Sequence, residues 1–72
     1  MTQLRDQLEQ LVADMLTKGV RYEDAHREFE KRFIAHALDD ADGNLGKAAD
    51  RLGMHRNTLS RKISEYRIRR SA

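Results

Sequence analysis

Apolar residues in the first part of the chain repeat with the period of a helix. Leu4, Leu8, Leu11 and Met15 fall at intervals of four, three and four, with Val12 and Leu16 beside them, which makes one face of a helix apolar and leaves the other polar. The pattern predicts a first helix, α1, over about residues 3–18. Gly19 can take the left-handed position that ends it, and Val20 can fold back on Met15. A second periodic run, Tyr22, Ala25, Phe29, Phe33 and Ala37, is widened by Ile34, Leu38 and Ala41 and predicts α2 over about 22–41. Glu23 and Asp24 place negative charge at its positive end. That apolar face, with two phenylalanines, is too broad for a lone helical hairpin to cover, so a neighbour must cover it.

The second half of the chain repeats the pattern in shorter pieces. Asp39, Asp40 and Asp42 oppose the dipole at the end of α2 and should fray it before Gly43. Asn44 is a good N-cap for α3 over 45–52, which presents Leu45, Ala48, Ala49 and Leu52 inward. Gly53 supplies a sharp turn. Leu59, Ile63 and Tyr66 then form the buried stripe of α4, over about 56–67, leaving Arg69 to Ala72 as a frayed tail. The expectation is one all-α domain over residues 1–72, with α1 and α2 (1–42) as a dimerisation unit and 43–67 as a helix-turn-helix.

Composition narrows this picture by removing staples. Among 72 residues there is no cysteine and no proline, and 36% are charged, which suits short helices and rules out disulfides and thiolate metal sites. His26, His36 and His55 lie ten and nineteen residues apart, spacings that do not pair them on adjacent helical turns as a metal site requires. A domain this small is marginal alone, so self-association is the remaining means of support. Arg5, Asp6, Glu9 and Asp14 interrupt the apolar pattern of the first fifteen positions, so neither a signal peptide nor a membrane span is expected and the chain should stay in the cytoplasm.

The net charge of +2 hides a division. Residues 1–43 carry six Lys/Arg against ten Asp/Glu, a net of −4, whereas residues 44–72 carry eight against two, a net of +6. The second half is suited to a polyanion. At about 100° per residue, the face of α4 opposite Leu59 and Ile63 holds Asn57, Ser60, Arg61 and Ser64, with Glu65 at one flank. Lys47 in the first turn of α3 and Arg56 in the first turn of α4 both oppose the helix dipole, each at a cost of a few tenths of a kcal/mol. Two neighbouring breaches of a local rule mark a functional site, and a phosphate docked at those N-termini would satisfy the cations and the free N–H groups together.

The residues of this region resemble a known family. Gly43-Asn44-Leu45-Gly46-Lys47-Ala48-Ala49, followed by Leu52-Gly53-Met54-His55-Arg56-Asn57-Thr58-Leu59-Ser60-Arg61-Lys62-Ile63, is similar to the Fis-type helix-turn-helix, found in a bacterial nucleoid protein and at the C-terminus of NtrC-type transcriptional activators. Phe29-Glu30-Lys31-Arg32-Phe33-Ile34 resembles the family's second helix. The resemblance implies a homodimer whose α1 and α2 helices interlock through Leu4, Leu8, Leu11, Met15, Phe29 and Phe33, and whose two α4 helices enter successive major grooves and bend the duplex. It implies that Arg56 reaches a guanine edge, that Asn57 lies near the bases, and that Asn44, Thr58, Arg61 and Lys62 hold phosphates, with Lys47, His55 and Ser60 also at the DNA surface. It implies a sequence-preferring, nucleoid-associated DNA-binding protein, either a regulator of transcription or a nucleoid-type DNA-bending protein, and no cofactor, metal, membrane or small-molecule substrate is expected. No nucleophile, base and orienting group can be assembled with any specificity, so an enzyme is not expected. The alternative reading is a helical protein–protein interaction module with an incidental basic tail.

Overall fold

The computed structural model describes residues 2–68, and within them four helices form and no strand. They are α1 (Thr2–Thr17), α2 (Tyr22–Asp40), α3 (Leu45–Leu52) and α4 (Arg56–Tyr66), each within one residue of the range the pattern predicts. The tail from Arg69 to Ala72 lies outside the described residues. No described helix is long and apolar enough to cross a membrane.

Breakers placed the boundaries. Gly19 at φ 77 turns the chain out of α1, and its own N–H reaches Leu16 O at 3.1 Å while Val20 N–H reaches Met15 O at 2.9 Å, the paired bonds that satisfy a helix's last carbonyls. At the end of α2, Asp42 and Gly43 are both left-handed, at φ 54 and 79, and Gly43 N–H returns to Leu38 O at 2.9 Å. The acidic run there is partly answered by Arg51, whose guanidinium lies 4.0 Å from the Asp40 carboxylate.

The core belongs to α2, α3 and α4. Ile34, Leu38 and Ala41 meet Ala48 and Ala49 of α3 and Leu59 and Ile63 of α4. Leu45, Leu52, Met54, Tyr66 and Ile68 pack around them. The two alanines are nearly inaccessible, and their small side chains let α3 approach both neighbours closely. Here the structure divides the broad apolar face of α2 in two. The residues read as widening the stripe are the buried ones, while Phe29 and Phe33 remain 55% and 54% exposed and Tyr22 81%. The reason is geometric: α3 and α4 together cover one side of α2, and the phenylalanines lie around the helix from that side.

α1 contributes little to this core. Leu4, Leu8, Leu11, Val12 and Leu16 are 46–71% exposed. The radius of gyration is 13.9 Å, against about 11 Å for a compact domain of this length. The accessible surface is 6187 Å², where a compact chain of 8.4 kDa would show about 4,600 Å². The exposed apolar residues of α1 and α2 contribute to that excess.

Candidate nucleic-acid interface

α3 and α4 are joined through a turn whose geometry is fixed by hydrogen bonds. Gly53 sits at φ 68 with nothing within 4 Å of where a Cβ would stand, so the position needs glycine for its backbone and not for space. Its N–H reaches Asp50 O at 3.2 Å, and Met54 N–H reaches Ala49 O at 3.1 Å. Three residues later α4 begins. The buried Leu59 and Ile63 hold its inner face against the core, which turns the opposite face to solvent.

Both helix starts carry a side-chain cap. Asn44, extended at φ −76 and ψ 109, accepts the Lys47 N–H at 3.0 Å through its side-chain oxygen, so its amide NH₂ remains available to an acceptor. His55, at φ −69 and ψ 143, accepts the Asn57 N–H at 3.0 Å through Nδ1. A nitrogen that accepts carries no hydrogen, so Nε2–H is the free donor of this ring. The capping use of an imidazole is unusual, and it leaves His55 at the mouth of the turn beside Arg56.

Most of the expected DNA-contacting residues are accessible to solvent. Asn44, Lys47, His55, Arg56, Asn57 and Arg61 are exposed, and Thr58 and Ser60 are half-buried at the margins of α4. Among the described residues, Lys47, Arg56 and Arg61 take part in none of the ion pairs, which are Arg32–Glu28, Arg51–Asp40 and Lys62–Glu30. Lys47 and Arg56 thus stand uncommitted in the first turns of α3 and α4, with Arg61 further along α4, and neither helix has an acid in its first turn. Glu65 is exposed at the flank.

Lys62 is placed differently from its neighbours. Its ammonium donates to Glu30 Oε2 at 3.1 Å, across from α4 to α2. The Tyr66 hydroxyl, one turn further along α4, donates to the other oxygen, Oε1. Glu30 and Lys62 have side chains only 23% and 26% exposed. The Tyr66 hydrogen bond, followed by that from Lys62, holds the Glu30 carboxyl below its ordinary 4.5. The same bond pushes the Tyr66 phenol above its ordinary 10.0. Sequence reasoning missed this cluster. The available signal was that Lys62 and Tyr66 lie four apart on α4 and that Glu30 stands four before Ile34, beside the buried stripe of α2.

The residues expected at a dimer interface are all accessible in the single chain. Leu11 and Met15 of α1 and Phe29, Phe33 and Ala37 of α2 line one apolar groove, floored towards α3 by Leu52. The rings of Phe29 and Phe33 lie 5.3 Å apart at 47°. Leu4 and Leu8 continue the apolar face of α1 beyond the groove.

Comparison with known proteins gives concordant matches. The family model described as "Bacterial regulatory protein, Fis family" matches residues 25–66. A "DNA-binding transcriptional regulator NtrC" of Rhizobium meliloti is 44% identical over 64 residues, covering 82% of this chain and 13% of the relative. A "Putative Fis-like DNA-binding protein" of Xylella fastidiosa is 42% identical over 40 residues, covering 56% of this chain and 44% of the relative. The chain thus spans less than half the length of either relative. No solved structure matches significantly.

Proposed function

The chain belongs to the Fis family of bacterial regulatory proteins, and from that premise we propose that it binds double-stranded DNA as a homodimer and regulates transcription, with α4 in the major groove. One observation carries the reading. The outward face of α4 and the two helix starts beside it present Lys47, Arg56 and Arg61 without a carboxylate partner among the described residues. Cations left unpaired at helix N-termini are costly alone and favourable against phosphate.

The roles follow from position. Arg56, first in α4, reaches a guanine edge, and Asn57 on the outer face lies near the bases. Arg61, Thr58, Lys47 and the free amide of Asn44 hold phosphates and set the register. His55 and Ser60 border the same surface. Both relatives are named for DNA binding or likeness to a DNA-binding protein, which supports the reading without fixing the operator.

Dimerisation is supported by the exposed apolar residues Leu4, Leu8, Leu11, Val12 and Leu16 of α1 and Phe29 and Phe33 of α2, which are 46–71% exposed and form the kind of surface that a partner subunit covers. A two-fold axis would pair the α1–α2 faces and leave two helix-turn-helix units outside.

Titration of a mixed-sequence duplex at low and moderate salt tests the central claim. Binding in the nanomolar-to-micromolar range that weakens steeply with salt is expected. Absence of binding at low salt would falsify it and leave the protein-interaction module as the surviving reading.

A further inference from the structure

We propose that Glu30 of α2 sets the electrostatic footprint of α4 by withdrawing Lys62 from the DNA-facing surface. The charge of Lys62 then stays inside the domain while Lys47, Arg56 and Arg61 meet the phosphates. This rests on the DNA-binding reading above but departs from the phosphate role that family resemblance implies for Lys62.

Three observations carry it. Lys62 lies about 100° around α4 from Arg61, and its ammonium ends 3.1 Å from Glu30 Oε2, on the side facing α2. The carboxylate is itself fixed, because Tyr66 donates to its second oxygen and both donors come from successive turns of one helix. Finally, the pair is set apart by its burial. Arg51–Asp40 and Arg32–Glu28 have side chains 56–77% exposed and can part with little loss, whereas Lys62 and Glu30 are each about a quarter exposed. If Lys62 turned to a phosphate, Glu30 would be left partly desolvated and without its cation. Glu30 thus acts as a positioning residue for the charge of α4 without touching DNA.

The test is the slope of log binding constant against log salt, which counts phosphates neutralised. Lys62→Met should leave the slope unchanged, since its charge is not engaged with DNA. Glu30→Gln should free the lysine and steepen the slope by about 0.9 per bound chain, and the double variant should restore the original value. In the unsubstituted protein, side-chain resonances of Lys62 should stay in place when duplex is added while those of Lys47 move, a readout that needs no variant to fold. The inference is overturned if Lys62→Met flattens the slope by about 0.9 per chain, if Glu30→Gln folds and binds with an unaltered slope, or if the Lys62 resonances shift with those of Lys47. Failure of the unsubstituted protein to bind DNA at all would instead remove the underlying reading, and this proposal with it.

Discussion

Arg56 and Arg61 differ in what their loss should do, although both are exposed arginines on α4. A base contact discriminates and a phosphate contact does not. Arg56→Ala should therefore cost about 1–3 kcal/mol at one base position and relax preference there. Arg61→Ala should weaken all sequences alike. Titrations against a panel of single-base operator variants separate the two, and equal losses for both substitutions across the panel would remove the assigned roles. The Glu30–Tyr66 bond gives a second residue-scale expectation. The folded Glu30 carboxyl titrates below its ordinary 4.5, so its stabilisation is complete above that value and is lost as pH falls through the lower folded one. Tyr66 titrates above 10.0 in the fold, so its share is complete below that value and is lost as pH rises through the higher one. The stability difference between the unsubstituted protein and Glu30→Gln should thus form a plateau between 4.5 and 10.0 and close on both sides. Denaturant midpoints measured across that range check it; a difference that does not vary with pH contradicts the bond. At this scale legibility was uneven. Asn44 reads as a cap because its side chain is the right length and chemistry, whereas His55 does not. Glu30 stands 32 residues from Lys62, and no local rule pairs them.

Helix boundaries were legible because glycine marks them. Gly19, Gly43 and Gly53 all adopt positive φ, and each follows the last apolar position of a periodic run. α4 has no such mark. It ends instead on Arg67, left-handed at φ 54, with Arg67 N–H on Ser64 O at 3.2 Å and Ile68 N–H on Ile63 O at 3.0 Å. The hydrogen-bonding needs of the last turn impose the conformation on a residue that pays a steric penalty for it. Arg67→Gly should accordingly stabilise the domain by about 1 kcal/mol, while Gly53→Ala should destabilise it by a similar amount, even though a Cβ there meets nothing within 4 Å. Gly46 behaves in the opposite sense. It lies inside α3 with ordinary backbone angles, and an added Cβ meets only Asn44 Oδ1 at 3.5 Å, ordinary contact. Gly46→Ala should gain up to about 1 kcal/mol from helix propensity and leave the Asn44 cap in place. Thermal or denaturant unfolding of the three variants tests all of these signs, and a loss of stability in Gly46→Ala would show that the cap cannot tolerate the methyl group. What the periodicity did not reveal was which of two adjacent apolar stripes on α2 faces the core. Both carry residues fit for burial, and only the arrival of α3 and α4 on the Ile34–Leu38 side decides between them.

The molecule as a whole is divided by charge and by exposed apolar surface, and the two divisions coincide. Acidic residues prevail in the half that bears the bare leucines and phenylalanines, and basic residues prevail in the half whose apolar residues are spent on the core they share with Ile34, Leu38 and Ala41 of α2. A surface that carried both the exposed apolar face and the cations would have to choose between partners; on separate halves of the chain the two do not compete. This division was visible in the sequence, but the extent of the uncovered face was not, because it depends on how much of α1 the rest of the chain fails to cover. Leu8 and Phe33 are both about half exposed, on α1 and α2 respectively, and neither belongs to the core of α2, α3 and α4. A charge at either site would be tolerated in a single chain and costly in a desolvated two-fold interface, where it is buried twice. Leu8→Glu and Phe33→Glu should therefore preserve the helical spectrum of α2–α4 while moving the sedimenting mass from twice 8.4 kDa towards 8.4 kDa. Duplex affinity should fall by much more than the change of one remote side chain suggests, because a lone helix-turn-helix loses the effective concentration that the second one supplies. A protein that already sediments as one folded chain at micromolar concentration would remove the dimer and leave each helix-turn-helix to bind DNA alone, whereas variants that keep the two-chain mass would place Leu8 and Phe33 outside its interface.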